Sequence, residues 1–512
     1  MLVKIYSSTL IGINAHTITI EVNIGIGVNF YLVGLPDNTV KESQQRIRTS
    51  INNNKYKFPG REITINMAPA NIKKQGTHFD LPIAVGILAA SKQINHKLLD
   101  KYLIIGELSL DGSVQQAKGV LPIAIQAKKN GFIGVIIPSK NYTEASLVDD
   151  LQIIGVNSIK DVVDFLNGHK SVSNFKQKKT QKNEGNDTNS TYDFSDVKGQ
   201  YVVKRAFEIA ASGNHNILLI GSPGSGKTML AKCINGILPD LKKNESIETT
   251  KIYSILNQNI INTEMIKKRP FRKPHHTISN VALVGGGSNP RPGEISLAHN
   301  GVLFLDELPE FKKNVLEVLR QPLEDGYINI SRAKFSSKYP SKFMLIAAMN
   351  PCPCGNYGDK RKQCFCSPGS IKKYMNKISG PLLDRIDMHI EVDSVSFEDL
   401  QDKEKAESSF AIKKRVNKTR EIQDKRFINS DHVSSNAQMS NKQIEMFCKL
   451  NKECLVLLNQ AMSKLNLSAR SYHRILKVAR TIADHDGSNY IEPKHIAEAI
   501  QYRTLDRINW AA

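Results

Sequence analysis

The eight residues Gly221-Ser222-Pro223-Gly224-Ser225-Gly226-Lys227-Thr228 constrain this chain more than any others. They satisfy the pattern G-x-x-x-x-G-K-[ST] at every position, and the flanks agree with it. Asn216 to Ile220 reads as a short buried strand, and Met229 to Leu238 reads as a helix. A strand, a glycine-rich turn and a helix in that order predict a phosphate-binding loop in an α/β fold with a parallel sheet. Glycines let successive backbone N–H groups curl around phosphate oxygens, and the helix N-terminus adds partial positive charge. Lys227 then reaches the β- and γ-phosphates of ATP, and Thr228 holds Mg²⁺.

Two further apolar runs end in chemistry-bearing residues. Val302 to Leu305 is followed by Asp306 and Glu307, and Phe343 to Met349 is followed by Asn350. In a phosphate-loop fold the first carboxylate orients the Mg²⁺ shell, and the second polarises the attacking water. The Asn350 amide aligns that water or the γ-phosphate. Three strand ends of this kind predict one edge of a parallel sheet, where such sheets bind ligands.

A chain of 512 residues exceeds what one core usually organises, so two to four domains are expected. Its net charge of +21 points to a polyanion partner. Residues 1–168 hold 17 Lys/Arg against 13 Asp/Glu, and residues 193–512 hold 48 against 34, so most of the excess travels with the second half. Between them, residues 169–192 are rich in Lys, Asn and Ser with almost no apolar anchors, which predicts a flexible connector. The start alternates apolar and polar residues, without a charged segment leading into a continuous apolar core. Nowhere do eighteen apolar residues run together. A cytoplasmic protein with no membrane partner is expected. Seven cysteines agree with reduced thiols. Cys352, Cys354, Cys364 and Cys366 form two C-x-C pairs that either enclose a structural Zn²⁺ or stay as free thiols in a Gly/Pro-rich loop.

Residues 1–168 alternate short strands (Thr17 to Val22, Asn29 to Leu32, Glu62 to Met67) with helical stretches (Thr39 to Asn52, Leu81 to Ser91). The runs Lys74 to Leu81 and Gly106 to Gly112, with the helix Leu121 to Lys128, resemble the Lon-protease-like domain of the ribosomal S5 domain 2 fold. Where the resemblance implies a catalytic serine and lysine, this chain has His78 and Leu121. A nucleophile without its base is unactivated, so peptide hydrolysis is not expected.

The strand ends and phosphate loop resemble an AAA+ ATPase core, placed at 193–394 with a helical lid at 395–512. Lys273-Pro274-His275-His276-Thr277, Val284-Gly285-Gly286-Gly287 and Pro290 to His299 resemble the magnesium-chelatase-like ComM/YifB family over essentially the whole chain. That resemblance implies a homo-hexameric DNA motor driving branch migration during natural transformation. A protein remodeller or chelatase-type motor acting on a protein is the alternative. The same resemblance implies that Arg385, in Gly380 to Asp387, reaches a neighbouring subunit's nucleotide as an arginine finger; a salt bridge to Asp384 or Asp387 competes. Arg470 is implied as the lid arginine that reaches the γ-phosphate, with Arg474 one turn later as a substitute. Insertions carrying Arg272 and Lys273, and a hairpin over Tyr327 to Lys342 carrying Arg332 and Lys334, are implied to face a central pore. There, basic side chains would track DNA phosphates without reading bases.

Overall fold

A computed structural model of the chain describes residues 1–175, 192–256, 265–287, 290–332, 335–359, 362–393, 395, 406–430, 433–465 and 467–503, with the side chains of 174 and 331–336 left out. The described chain forms two compact units. The first comprises 1–183, 243–266 and 331–338; the second comprises 184–242, 267–330 and 339–512.

The first unit is built on a seven-stranded sheet. Its strand order is Phe30–Val33, Ile63–Ala68, Asn14–Ile24, Leu2–Ile11, Tyr102–Ile104, Gly134–Pro138, Gln152–Val156. The long Leu2–Ile11 and Asn14–Ile24 pair is antiparallel, while the last four strands of that order run parallel to one another. Helix Asp80–Ala90 buries every residue, as expected of a segment apolar on all sides. Gly86 lets that helix approach the sheet, since a Cβ there would stand 2.4 Å from Ile5 Cδ1. His78 is half-buried, with Nε2 2.8 Å from the Ser8 carbonyl oxygen, and burial lowers its pKa. The Leu121 N–H, in the first turn of Val120–Lys129, donates to Glu144 Oε1 at 2.9 Å. Both positions are thus tied into the packing of the unit.

The second unit is organised by a five-stranded parallel sheet. We label its strands β1 (Ile217–Ile220), β2 (Phe271–Arg272), β3 (Val302–Leu305), β4 (Met344–Met349) and β5 (Met388–Glu391), which stand in the order β2-β3-β4-β1-β5. The fully buried β1, β3 and β4 read as continuous apolar runs, because a parallel sheet is covered on both faces. Helices Tyr201–Gly213 and Lys227–Ile237 share a core with the sheet and with the helices Ser409–Arg426, Ala469–His485 and Pro493–Gln501. Tyr327–Arg332 and Phe335–Pro340 form a two-stranded sheet of their own, of which residues 331–338 are counted with the first unit. Among the described residues, no helix is long and apolar enough to cross a membrane.

The start of β1 is stapled by a buried polar knot. The Asn216 side chain accepts from the Leu345 N–H at 2.8 Å, and the Asn216 N–H donates to Asp387 Oδ2 at 2.9 Å. One asparagine thereby fixes the entries of β1, β4 and β5, and so the positions of everything beyond their far ends.

Candidate nucleotide-binding site

The loop after β1 turns through Gly224 and Gly226, whose φ angles of +83° and +87° lie in the left-handed region that glycine adopts without strain. Nothing stands within 4 Å of where a Cβ would sit at either position, so the loop's inner face is open. Gly226 caps helix Lys227–Ile237, directing that helix's free N–H groups into the loop. The Ser225 hydroxyl is buried and has no protein partner. An open turn of backbone donors at a helix N-terminus, with an orphaned hydroxyl inside it, fits a phosphate chain.

Lys227 folds back into this turn. Its ammonium donates to the Gly221 and Ser222 carbonyl oxygens at 2.7 and 2.9 Å and to Asn350 Oδ1 at 3.2 Å. Burial lowers its pKa, and Asp306 opposes that shift. The pairing of β1 with β4 puts Ile220 opposite Met349, so Gly221 and Asn350 leave neighbouring strand ends together. Pairing of β4 with β3 brings in Asp306 by the same logic. The Thr228 hydroxyl donates to Asp306 Oδ2 at 2.9 Å. Thr228 and Asp306 therefore present adjacent oxygens, a donor set that suits Mg²⁺.

Glu307 adopts φ +54°, a left-handed conformation that costs a non-glycine residue free energy and marks a position held by its surroundings. Its carboxylate faces His276 Nδ1 at 3.5 Å. The Lys273 ammonium contacts Asp306 Oδ2 at 2.8 Å and stands 5.1 Å from the centre of the Phe304 ring. These contacts follow from register: β2 runs parallel to β3 with Arg272 opposite Leu303, so the residues after each strand emerge side by side. Lys273, which the family resemblance puts on a pore insertion, lies against the carboxylate after β3. The contact of His276 with Glu307 was not foreseen, although the spacing of Lys273-Pro274-His275-His276 beyond a strand end held the signal. Arg272 is engaged through both Nε and Nη2 with Glu294, each at 2.7 Å.

The remaining arginines divide. Arg385 is buried, with its guanidinium 2.5 Å from Glu324 and donating to the Pro381 carbonyl at 2.6 Å. This is an ion pair within the chain, and its partner is neither Asp384 nor Asp387. Arg474 occupies Asp387 at 2.6 Å. Arg470, in the first turn of Ala469–His485, is exposed and 4.0 Å from Asp384. Lys334 lies outside the described residues, as does the side chain of Arg332, which ends its strand. A basic depression that sequence reasoning missed is lined by Lys313, Lys372, Lys373 and Lys377, with Glu310 3.3 Å from Lys377.

The four clustered cysteines come together immediately beyond Asn350, their sulfur atoms all within 4.8 Å of one another. The Cys354 thiol is pulled down to about 6, first by the Asn356 N–H and then by its cysteine neighbours.

A β2-β3-β4-β1-β5 parallel sheet with a G-x-x-x-x-G-K-T loop after its fourth-ranked strand, and Asp-Glu after the second, defines a phosphate-loop nucleotide-binding protein. The chain belongs to the ComM/YifB family of magnesium-chelatase-like AAA+ proteins. The family model described as magnesium chelatase, subunit ChlI, matches residues 193–400. Its C-terminal counterpart matches 406–503, and a model for subunit ChlI of Mg-chelatase matches 20–141. The chain is 46% identical to Competence protein ComM of Haemophilus influenzae over 98% of both chains. It is 42% identical to the uncharacterized protein YifB of Escherichia coli, over 98% of this chain and 97% of that one. Similarity to the magnesium-chelatase subunit ChlI of Mesostigma viride is 22%, over 60% of this chain and 85% of that subunit.

Proposed function

We propose that the chain is an ATP-driven motor that works as a homo-hexameric ring on DNA, moving branched recombination intermediates. The observation that carries the ATPase is the meeting of Lys227, Thr228, Asp306, Glu307 and Asn350 beyond adjacent strand ends. Lys227 and the loop N–H groups bind the triphosphate, Thr228 and Asp306 hold Mg²⁺, Glu307 takes the proton of the attacking water, and Asn350 orients it. When bound, the Mg²⁺ supplies charge neutralisation at the phosphate oxygens. Support for DNA comes from the net charge of +21, the basic depression around Lys372, and similarity to a relative named as a competence protein. The N-terminal unit, read as a Lon-like scaffold, and the C-terminal helices, read as a lid carrying Arg470, complete a cytoplasmic machine. For Arg385 to serve a neighbouring subunit, its pair with Glu324 has to open.

The DNA reading is tested by salt. If the four lysines of the depression each meet one phosphate, DNA-stimulated turnover should need about 100-fold more DNA at ~200 mM than at ~50 mM salt. Replacing Lys372 and Lys373 with Ala should reduce the salt slope by about two. Stimulation by a protein partner, with indifference to junction DNA, would favour the second reading that the chelatase-named family models support, a motor acting on protein.

Lys273 and His276 are proposed as positioning residues for the two carboxylates. His276→Ala should lower kcat about tenfold by freeing Glu307 from its left-handed pose, with KM for ATP little changed and His276→Asn partly restoring the rate. In a Glu307→Gln background the same change should add nothing, because the two residues act as a unit. An additive loss, or a rise in KM alone, would reject the positioning role.

A further inference from the structure

The cysteine cluster is joined to the phosphate loop by two routes. Along the chain, Cys352 follows Asn350 by two residues, and Asn350 accepts from Lys227 at 3.2 Å. On the other side of the cluster, helix Pro368–Met375 begins two residues after Cys366. Through space, Gly355, in the turn just past Cys354, lies flat on Pro223 of the phosphate loop. A Cβ at Gly355 would stand 2.4 Å from Pro223 Cδ and 2.6 Å from Cγ, and the residue's φ is +83°. The Cys-Pro-Cys-Gly sequence here is thus a turn whose glycine both permits the backbone and makes room for the neighbouring loop.

The sulfur positions suit one ion. Cys352 lies 3.3 Å from Cys354 and 3.7 Å from Cys364, and Cys354 lies 3.6 Å from Cys364. Four thiolates at a Zn–S distance of about 2.3 Å in a tetrahedron stand about 3.8 Å apart. The Tyr357 N–H already points at Cys352 Sγ, 3.3 Å away, the kind of backbone donor that orients a ligating sulfur. Cys352 is fully buried while Cys354 is exposed, so the cluster has an inner anchor and an open side for entry.

We propose that Cys352, Cys354, Cys364 and Cys366 bind one Zn²⁺ and that the closed metal loop braces the phosphate loop, through Gly355 against Pro223 and through Asn350 against Lys227. Metal occupancy then sets how well the nucleotide site is pre-formed. This rests on the reading of residues 221–228 as a nucleotide site. Without the ion, four mutually close thiols gain nothing by staying together, and the turn that supports Pro223 loosens.

The test uses the full-length protein and two readouts that do not involve turnover: zinc per chain by elemental analysis, and the Kd of a fluorescent ATP analogue with Mg²⁺. Wild type should carry one zinc per chain. The paired change Cys354→Ser with Cys366→Ser should lose the metal and raise Kd about tenfold while thermal unfolding stays cooperative. Gly355→Val keeps all four cysteines, so it should retain zinc and still raise Kd about tenfold, which keeps the brace testable even if the cysteine variant fails to fold. Absence of zinc from wild type overturns the metal site. Zinc in wild type with an unchanged Kd in Gly355→Val overturns the brace. Wild type that carries zinc but binds no nucleotide at all overturns the nucleotide reading and the brace with it, leaving the metal site standing.

Discussion

Lys227→Ala should abolish ATP turnover and weaken nucleotide binding by about 200- to 20,000-fold, while leaving the fold intact. The binding loss is that of roughly two charge-assisted hydrogen bonds to phosphate, each contributing about 1.5–3 kcal/mol. The fold survives because the partners left behind are the Gly221 and Ser222 carbonyl oxygens and the Asn350 amide, in a loop with an open inner face where water replaces the ammonium. Burial of Lys227 lowers its pKa, so the substitution removes a charge that burial disfavours, and the variant's melting temperature should not fall. Glu307→Gln provides the contrast. It should keep nucleotide affinity near wild type yet cut turnover by about 100- to 10,000-fold, as loss of a general base does. Calorimetric nucleotide titration beside a phosphate-release assay separates the two. Turnover retained in the lysine variant would remove residues 221–228 from the chemistry.

Periodicity and strand-end chemistry carried the sequence reading a long way. Fully apolar runs located β1, β3 and β4 to within a residue or two. The helix read at Leu121 to Lys128 appears as Val120–Lys129, and the segment Tyr327 to Lys342 holds the paired strands Tyr327–Arg332 and Phe335–Pro340. Hidden from view was whatever depends on register between strands distant in sequence. The two-residue β2 has no periodicity of its own. Only its parallel pairing with β3 shows that Lys273 and His276 lie against Asp306 and Glu307. Likewise, three arginines and several carboxylates near residues 384–387 permit many pairings on paper. Packing selects Arg474 with Asp387 and Arg385 with Glu324, a partner some sixty residues away. The contact of Gly355 with Pro223 is a property of two turns and leaves no trace in either one's spacing.

Asp387→Asn should destabilise the second unit by about 3–5 kcal/mol at neutral pH, the usual effect of removing one partner from a buried ion pair. The carboxylate is almost wholly buried. It accepts from Arg474 at 2.6 Å and from the Asn216 N–H at 2.9 Å, with His215 Nδ1 3.7 Å away. Burial pushes its pKa upward as the largest single influence, but the Arg474 charge, His215 and the Asn216 N–H together hold it far below the usual carboxylate range. The folded-state pKa therefore lies below the unfolded one. The stabilisation is complete above the unfolded value near 4 and is lost as pH falls below it. The stability difference between wild type and variant should be flat from about pH 8 to 5, then shrink by about 1.4 kcal/mol per pH unit below about pH 4. Thermal unfolding across that range, with a neutral-pH drop in melting temperature on the order of 10 °C, provides the measurement. A difference that persists undiminished at pH 2 would show that Asp387 acts through shape and not through charge. Because Asn216 ties Asp387 to the entries of β1, β4 and β5, the variant should also weaken nucleotide binding, although its side chain lies at the opposite end of the strands from the phosphate loop. That coupling distinguishes a staple of the whole sheet from a local ion pair.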